Sequence, residues 1–244
     1  MNSNLKTIIF TLLITQLSIC CSGQTDKTIE SDYTQILETG LKGKVKQSTY
    51  YVNPAMYGEI PTDTSAFIVK SKMTFDKLGN AIEVNKLFNI DAAGSIKTQK
   101  MWFSGKGRDV SIKVLSTFNN GKVTVSNDKY IWSDKYTYSI ISEQDSTHSN
   151  IIVLDKNYQL IRSIFKNNDV VQFTEEVKTI YEHDKIKKII NTVTEKSDDE
   201  VIVTYQIQVV QEYDNVGNPT LVYMYNEIDE KEIQQVIYKY YIYY

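Results

Sequence analysis

The side chains best suited to acid–base chemistry near neutrality in this 244-residue chain are two histidines. His148 stands in Asp145-Ser146-Thr147-His148-Ser149 and His183 in Glu182-His183-Asp184, each beside a carboxylate that could orient it as a general base. Both fall where the pattern predicts turns, and there a solvated polar residue is the ordinary outcome. No Gly-x-Ser-x-Gly elbow and no His-Glu-x-x-His pair occurs. The two cysteines, Cys20 and Cys21, sit together near the N-terminus, so the rest of the chain offers no thiol nucleophile, disulfide or cysteine metal site. A non-enzyme with no cofactor and no bound metal is expected.

Other groups along the chain could bind ligands. Gly105-Lys106-Gly107-Arg108 is too short to cradle a phosphate and no helix follows it, so it reads as a turn. The acids at Asp198-Asp199-Glu200, and at Glu227, Asp229 and Glu230, read as solvated turn residues. Asp214-Asn215-Val216-Gly217-Asn218 lacks the loop length and distal Glu of a calcium-binding EF-hand loop. Trp102 and Trp132, beside Phe103 and Tyr130, are the candidate aromatics for a ligand surface, because flat rings on a sheet can stack on sugars; cross-strand packing is the competing use.

The elements carrying these residues are strands. The composition is β-rich, with 18 Tyr, 8 Phe and 3 Pro. Net charge is -3 with both signs mixed along the chain, so no nucleic-acid partner is expected. From Gly43 onward apolar residues recur with a period of two. Phe67, Val69, Met73 and Phe75 share one face; Ile82, Val84 and Phe88 share another. Near the C-terminus three odd- or even-numbered runs line up: Val201 to Tyr213, Leu221 to Tyr225, and Val236 to Tyr244. From Asp155 onward the turn centres fall at Asn168, Asp184, Asp198, Asp214 and Asp229, a step of about 15 that fits a strand of roughly ten residues plus a turn. No helix-length pattern interrupts the series. The spacing predicts an all-β antiparallel meander of long hairpins, about a dozen strands, forming a curved, coiled or barrel-like sheet over residues 43–244. Gly79 and Gly217 are the expected turn hinges, with positive φ.

Residues 1–21 read as a signal peptide: Lys6 precedes an apolar run, Thr7 to Leu17, that is too short to span a membrane. The segment has the look of a lipoprotein signal with Cys21 as the acylated residue and Cys20 as the alternative; plain cleavage after Gly23 competes. Residues 22–42 are expected to be a tether with a short helical turn, capped by Ser31 or Asp32 and stopped by Gly40. The protein would then lie in the cell envelope, at the outer membrane or in the periplasm, on a lipid anchor, or be secreted.

The turns Phe75-Asp76-Lys77-Leu78-Gly79-Asn80 and Tyr213-Asp214-Asn215-Val216-Gly217-Asn218 resemble the YD repeats of the RHS and YD-repeat family. With Leu41-Lys42-Gly43-Lys44-Val45-Lys46 upstream, the chain also looks like small exported YD-like proteins of Bacteroidetes-type bacteria. The inner copies, such as Leu154-Asp155-Lys156-Asn157, are degenerate. The resemblance implies a hairpin array; in long members such arrays form shells around toxins or bind glycans, and this chain is too short for a shell.

Two readings of function follow. In one, the sheet displays a surface for a glycan or protein partner on the envelope. In the other, it is a periplasmic carrier that holds an apolar ligand such as a lipid. The shape of the sheet separates them: an open ribbon with an exposed aromatic face is a docking surface, and a closed barrel with an apolar interior is a carrier. A hydrolase built on His183 is a third, more distant reading.

Overall fold

The computed structural model describes residues 32–56, 59–90, 92, 94–197 and 200–244. The segment holding Cys20 and Cys21, and the Asp198-Asp199 pair, lie outside the described residues. A short helix, α1 (Gln35–Thr39), is followed by fourteen strands in chain order: β1 (Val45–Pro54), β2 (Val69–Phe75), β3 (Ala81–Phe88), β4 (Ile96–Lys106), β5 (Asp109–Phe118), β6 (Val123–Trp132), β7 (Thr137–Ser142), β8 (His148–Leu154), β9 (Leu160–Asn167), β10 (Val170–Glu182), β11 (Lys185–Ser197), β12 (Glu200–Tyr213), β13 (Pro219–Tyr225) and β14 (Gln235–Tyr243). Each strand pairs with its chain neighbours, and β1 pairs antiparallel with β14, so the meander closes into a barrel. An even strand count is what lets the last strand run antiparallel to the first. The expected all-β meander of about a dozen strands is thus a fourteen-stranded closed barrel.

The alternation fixes two faces. On β2, Val69 and Phe75 are fully buried on the inside while Lys72 points out and is exposed. Outward lysines and other charges recur around the wall, at Lys100, Lys113, Arg162, Glu176 and Lys178, all exposed. The inward residues of β7 to β11 meet in one core with α1, built on Tyr138, Ile152, Leu160, Val177 and Ile189. Two readings of the pattern change, those of Ile82 and Tyr213. Ile82 does not join Val84 and Phe88; it is 45 % exposed, because a bulge at the start of β3 lets Phe75 pair with Ala81 while Thr74 pairs with Glu83. The C-terminal runs each share one face, and it is the outward one: Val222, Met224, Ile237 and Lys239 take the inside, and Tyr223, Tyr238 and Tyr240 the other face, where Ile207 and Val236 are nonetheless buried. Tyr213 parts from that run, because register shifts between Val210 and Tyr213 turn it onto the core, where its hydroxyl donates to the Ile186 carbonyl at 2.5 Å.

A barrel of fourteen strands is too wide for its own side chains to fill, since eight strands already leave an interior just wide enough to pack. Residues 33–41 supply part of the filling. They hold the expected short helical turn and form a plug in one end of the barrel. α1 ends at Gly40 with φ +64, as expected, but it starts from Thr34, which is extended and makes no side-chain cap. Tyr33 is fully buried, edge-on to Trp132 at 4.7 Å and to Tyr158 at 5.5 Å.

The turns at that end hold the plug. Gly79 and Gly217 have φ +93 and +96. In each turn the Asp accepts backbone amides: Asp76 Oδ1 from Leu78 and Asn80, and Asp214 Oδ1 from Val216, Gly217 and Asn218. The Asn that closes each turn is then free to tie elsewhere. Asn80 Oδ1 accepts the Gly107 amide at 3.0 Å. Asn218 exchanges two bonds with the Lys42 backbone, at 2.7 and 2.9 Å. Gln35 bridges the Ala81 amide and the Gly107 carbonyl, and the Ile36 amide donates to Gly79.

Candidate functional site

Where the plug and the side chains stop filling the barrel, a cavity of about 360 Å³ remains, at the lower end of the size of small-ligand pockets. Its wall comes from β14 and β1 to β7, and its floor from Thr39 and Leu41 of the plug. The strand register sorts this wall into levels. Nearest the plug is a mainly apolar level in which Met73, Val84, Met101 and Val114 are cross-strand neighbours, with Phe75, Phe103 and Ile112 beneath. Farthest from the plug, Ile237, Val52, Val69 and Phe88 stand opposite one another in a second apolar level, each at most 7 % exposed.

Between these two lies a polar row. Lys239 pairs with Tyr50, Tyr50 with Ser71, Ser71 with Lys86, Lys86 with Gln99, and Gln99 with Ser116. All six line the cavity. Lys239 and Lys86 are 3 % and 8 % exposed. Neither has a hydrogen-bond or ion-pair partner among the described residues. Burial alone lowers the Lys86 ammonium to about 8 and that of Lys239 to about 7. At about 1.4 kcal/mol per unit, keeping the two charged inside the barrel without a counter-charge costs several kcal/mol. Gln99 donates to Ser116 Oγ at 3.3 Å and its own Oε1 is buried without a partner. One carboxyl, Asp128, lines the wall two inward positions nearer the plug; burial raises it, and hydrogen bonds from Ser126 and Ser142 oppose that.

Two more buried carboxyls sit elsewhere in the interior. Glu38 of the plug is held by the hydroxyls of Tyr33 and Tyr138, and burial pushes it up to about 7 against those bonds. Glu175 of β10 has both oxygens buried and unpaired, and burial pushes it up to about 8.

The residues singled out in the sequence do not converge on the cavity. His148 is exposed, 2.9 Å from Asp145 Oδ2, and His183 occupies a two-residue hairpin turn with φ +49. Asp214 has its oxygens taken up by backbone amides and the Tyr243 hydroxyl. Trp102 and Trp132 do not form one ligand surface. Trp102 points outward, 37 % exposed, whereas Trp132 packs on Tyr33 and Tyr138 and donates from Nε1 to the Arg108 carbonyl at 3.0 Å. The residues the sequence reading missed carried a signal nonetheless. Val84-x-Lys86-x-Phe88, Ile237-x-Lys239-x-Tyr241 and Phe173-x-Glu175-x-Val177 each place a charge between two apolar residues of the same face, which on a half-buried strand puts that charge inside.

No family model matches the chain, and no curated protein is found similar to it. Among solved structures there is a likeness to a porin-like protein from Bacteroides uniformis ATCC 8492, at 9 % identity and a TM-score of 0.44, covering 83 % of this chain and 99 % of that one.

Proposed function

We propose that this protein is an exported, non-enzymatic carrier that holds one apolar ligand, such as a lipid, inside its barrel, and that acylation of Cys21, with Cys20 as the alternative, ties it to the cell envelope. The observation that carries this is the closed sheet around a cavity in which Met73, Met101, Val84, Val114, Phe75, Phe103, Ile112 and Ile140 form a continuous apolar stretch beside the polar row. The outer surface supports the same reading. A membrane-spanning barrel carries an apolar outward band and a polar lumen. Here charged residues interrupt the outward face, with Lys72, Lys100, Lys113 and Lys178 exposed on the outside of their strands. The docking reading, with a glycan or protein as partner, draws on the outward faces of Tyr240 and Ile242, 54 % and 51 % exposed.

The deciding experiment is to purify the protein from its own cell envelope, extract it with organic solvent and weigh what is released. A stoichiometric apolar compound is expected. Val114→Trp, which fills the lumen, should abolish its retention while leaving the barrel folded by circular dichroism. Recovery of no apolar compound, together with no uptake of added fatty acid or fatty alcohol, would overturn the carrier reading and leave the docking surface.

A further inference from the structure

Resting on the carrier reading, we infer that the ligand is an amphiphile with an anionic head, a carboxylate or a phosphate monoester, and that the head is bound by the row Lys239–Tyr50–Ser71–Lys86–Gln99–Ser116. The row crosses six adjacent strands at one level of the lumen. With a strand spacing of about 4.8 Å, the two lysine backbones stand roughly 14 Å apart along the wall, three spaces from one another. A head seated over Tyr50 and Ser71, midway between them, has one ammonium on each side. Two buried ammoniums without a partner among the described residues are expensive to keep charged. An anion supplies the missing partner to both and is itself desolvated against them, which is how a charged head becomes worth more inside a protein than in water.

The levels on either side set the direction of the tail. Away from the plug, Val52, Val69, Phe88 and Ile237 close over the row on this side of the barrel. Toward the plug the cavity continues, past Met73 and Met101 to Leu41. The tail therefore runs from the row toward the plug. The other ionisable groups facing this lumen are Tyr50, Tyr130, Tyr241 and Asp128. Burial raises the phenols of Tyr50 and Tyr130, so they stay neutral through the range in which the lysines titrate. Glu175 belongs to β10 and is not among the residues that line the cavity.

Binding an anion favours the charged amines, so a lysine that is neutral before the head binds must take up a proton when it does. Affinity for the acid should then fall as pH rises from 7 to 9, by up to about tenfold per unit for each proton taken up.

The test uses delipidated full-length protein and three probes of equal chain length: a fatty acid, an alkyl phosphate and a fatty alcohol, titrated by calorimetry. The acid or the phosphate is expected to bind at least about tenfold more tightly than the alcohol, and the tighter of the two names the head. Lys86→Met and Lys239→Met should each remove most of that advantage, weaken the acid far more than the alcohol, and keep or raise the unfolding midpoint, since each replaces a buried unpaired charge. The alcohol's affinity should not vary with pH. Equal binding of acid and alcohol, with no effect of either Met variant, would overturn the anionic head and leave the carrier intact. Binding of none of the three removes the carrier reading and this one with it. Inorganic phosphate binding as tightly as the alkyl phosphate would mean a free-anion site, and overturns the amphiphile.

Discussion

Gly79 and Gly217 occupy the same position of the same turn with nearly the same φ, yet the structure gives them different neighbours, and this makes Gly→Ala at the two sites a controlled comparison. Either substitution forces an L-residue to φ near +95, a strain of about 1–3 kcal/mol. At Gly217 nothing more is added, because a Cβ there would meet only flexible carbons, Lys42 Cδ at 3.6 Å and Lys185 Cε at 3.7 Å. At Gly79 the Cβ would overlap Ile36 Cγ2 and stand 3.1 Å from Thr34 Oγ1. Ile36 cannot retreat freely, since its amide is bonded to the Gly79 carbonyl and α1 is fixed in the barrel mouth. Overpacking of this kind costs a further ~1–3 kcal/mol. Gly79→Ala should therefore lower stability by about 2–6 kcal/mol and Gly217→Ala by about 1–3, measured by urea unfolding at constant slope. Ile36→Ala removes the overlapping methyl. In that background the Gly79→Ala penalty should shrink by about 1–3 kcal/mol, toward that of Gly217→Ala, a coupling a double-mutant cycle reads directly. Additive effects of Gly79→Ala and Ile36→Ala would refute the contact between turn and plug, and with it the idea that the strict turns are retained to seat the plug.

Two further outcomes follow from the buried carboxyl on β10 and from the N-terminal signal. Glu175 is raised from 4.5 to about 8, so the folded protein keeps a proton that the unfolded chain releases, and stability falls as pH climbs through that window. Glu175→Gln should remove its share of the fall, leaving that of Glu38 and making the variant more stable than wild type by up to a few kcal/mol at pH 8, with the two converging below about pH 4.5; parallel stability–pH curves would contradict the burial. Cys21→Ser should release the protein from membranes and Cys20→Ser should not, and an intact mass that begins at Gln24 without added lipid would remove the anchor.

Much of the barrel was legible in the chain because alternation and turn chemistry are local. The hairpins at Gly79 and Gly217, the all-β class and the stop of α1 at Gly40 needed no distant information. What was not legible depends on pairings far apart in sequence. Closure rests on Tyr50 meeting Lys239, and no local pattern announces that a meander will close rather than continue. The short helical turn was legible but its place in the barrel mouth was not, because the burial of the polar Gln35 and Glu38 becomes tolerable only once Tyr33, Tyr138, Ala81 and Gly107 provide partners. The polar row was missed for a related reason. Lys86 and Lys239 read as solvated charges until the inward parity of their strands is known.

That parity is carried by the Asp turns themselves. In three of them the residue just before Asp is turned inward: Phe75 is fully buried, Leu154 is 3 % exposed, and Tyr213 packs on the core. Each is followed by the same irregularity, a register shift that skips the second residue of the outgoing strand: Ile82 in β3, Ile161 in β9 and Thr220 in β13. Skipping one residue sends the next strand off with its own parity reset, so Ile82 and Ile161 end up 45 % and 43 % exposed despite being apolar. Counting back by two from the residue before Asp therefore names the interior face. From Phe75 it gives Met73, Ser71 and Val69; from Leu154 it gives Ile152 and Asn150. Both sets face the lumen. The count fails from Tyr213, because register shifts between Val210 and Tyr213 place one more irregularity inside β12 itself. The turn thus specifies more than a reversal of direction. It aims one large side chain at the axis and tells the strand before it which residues are inside, and by that count the polar Ser71 was already an interior residue, next to Lys86 in the row.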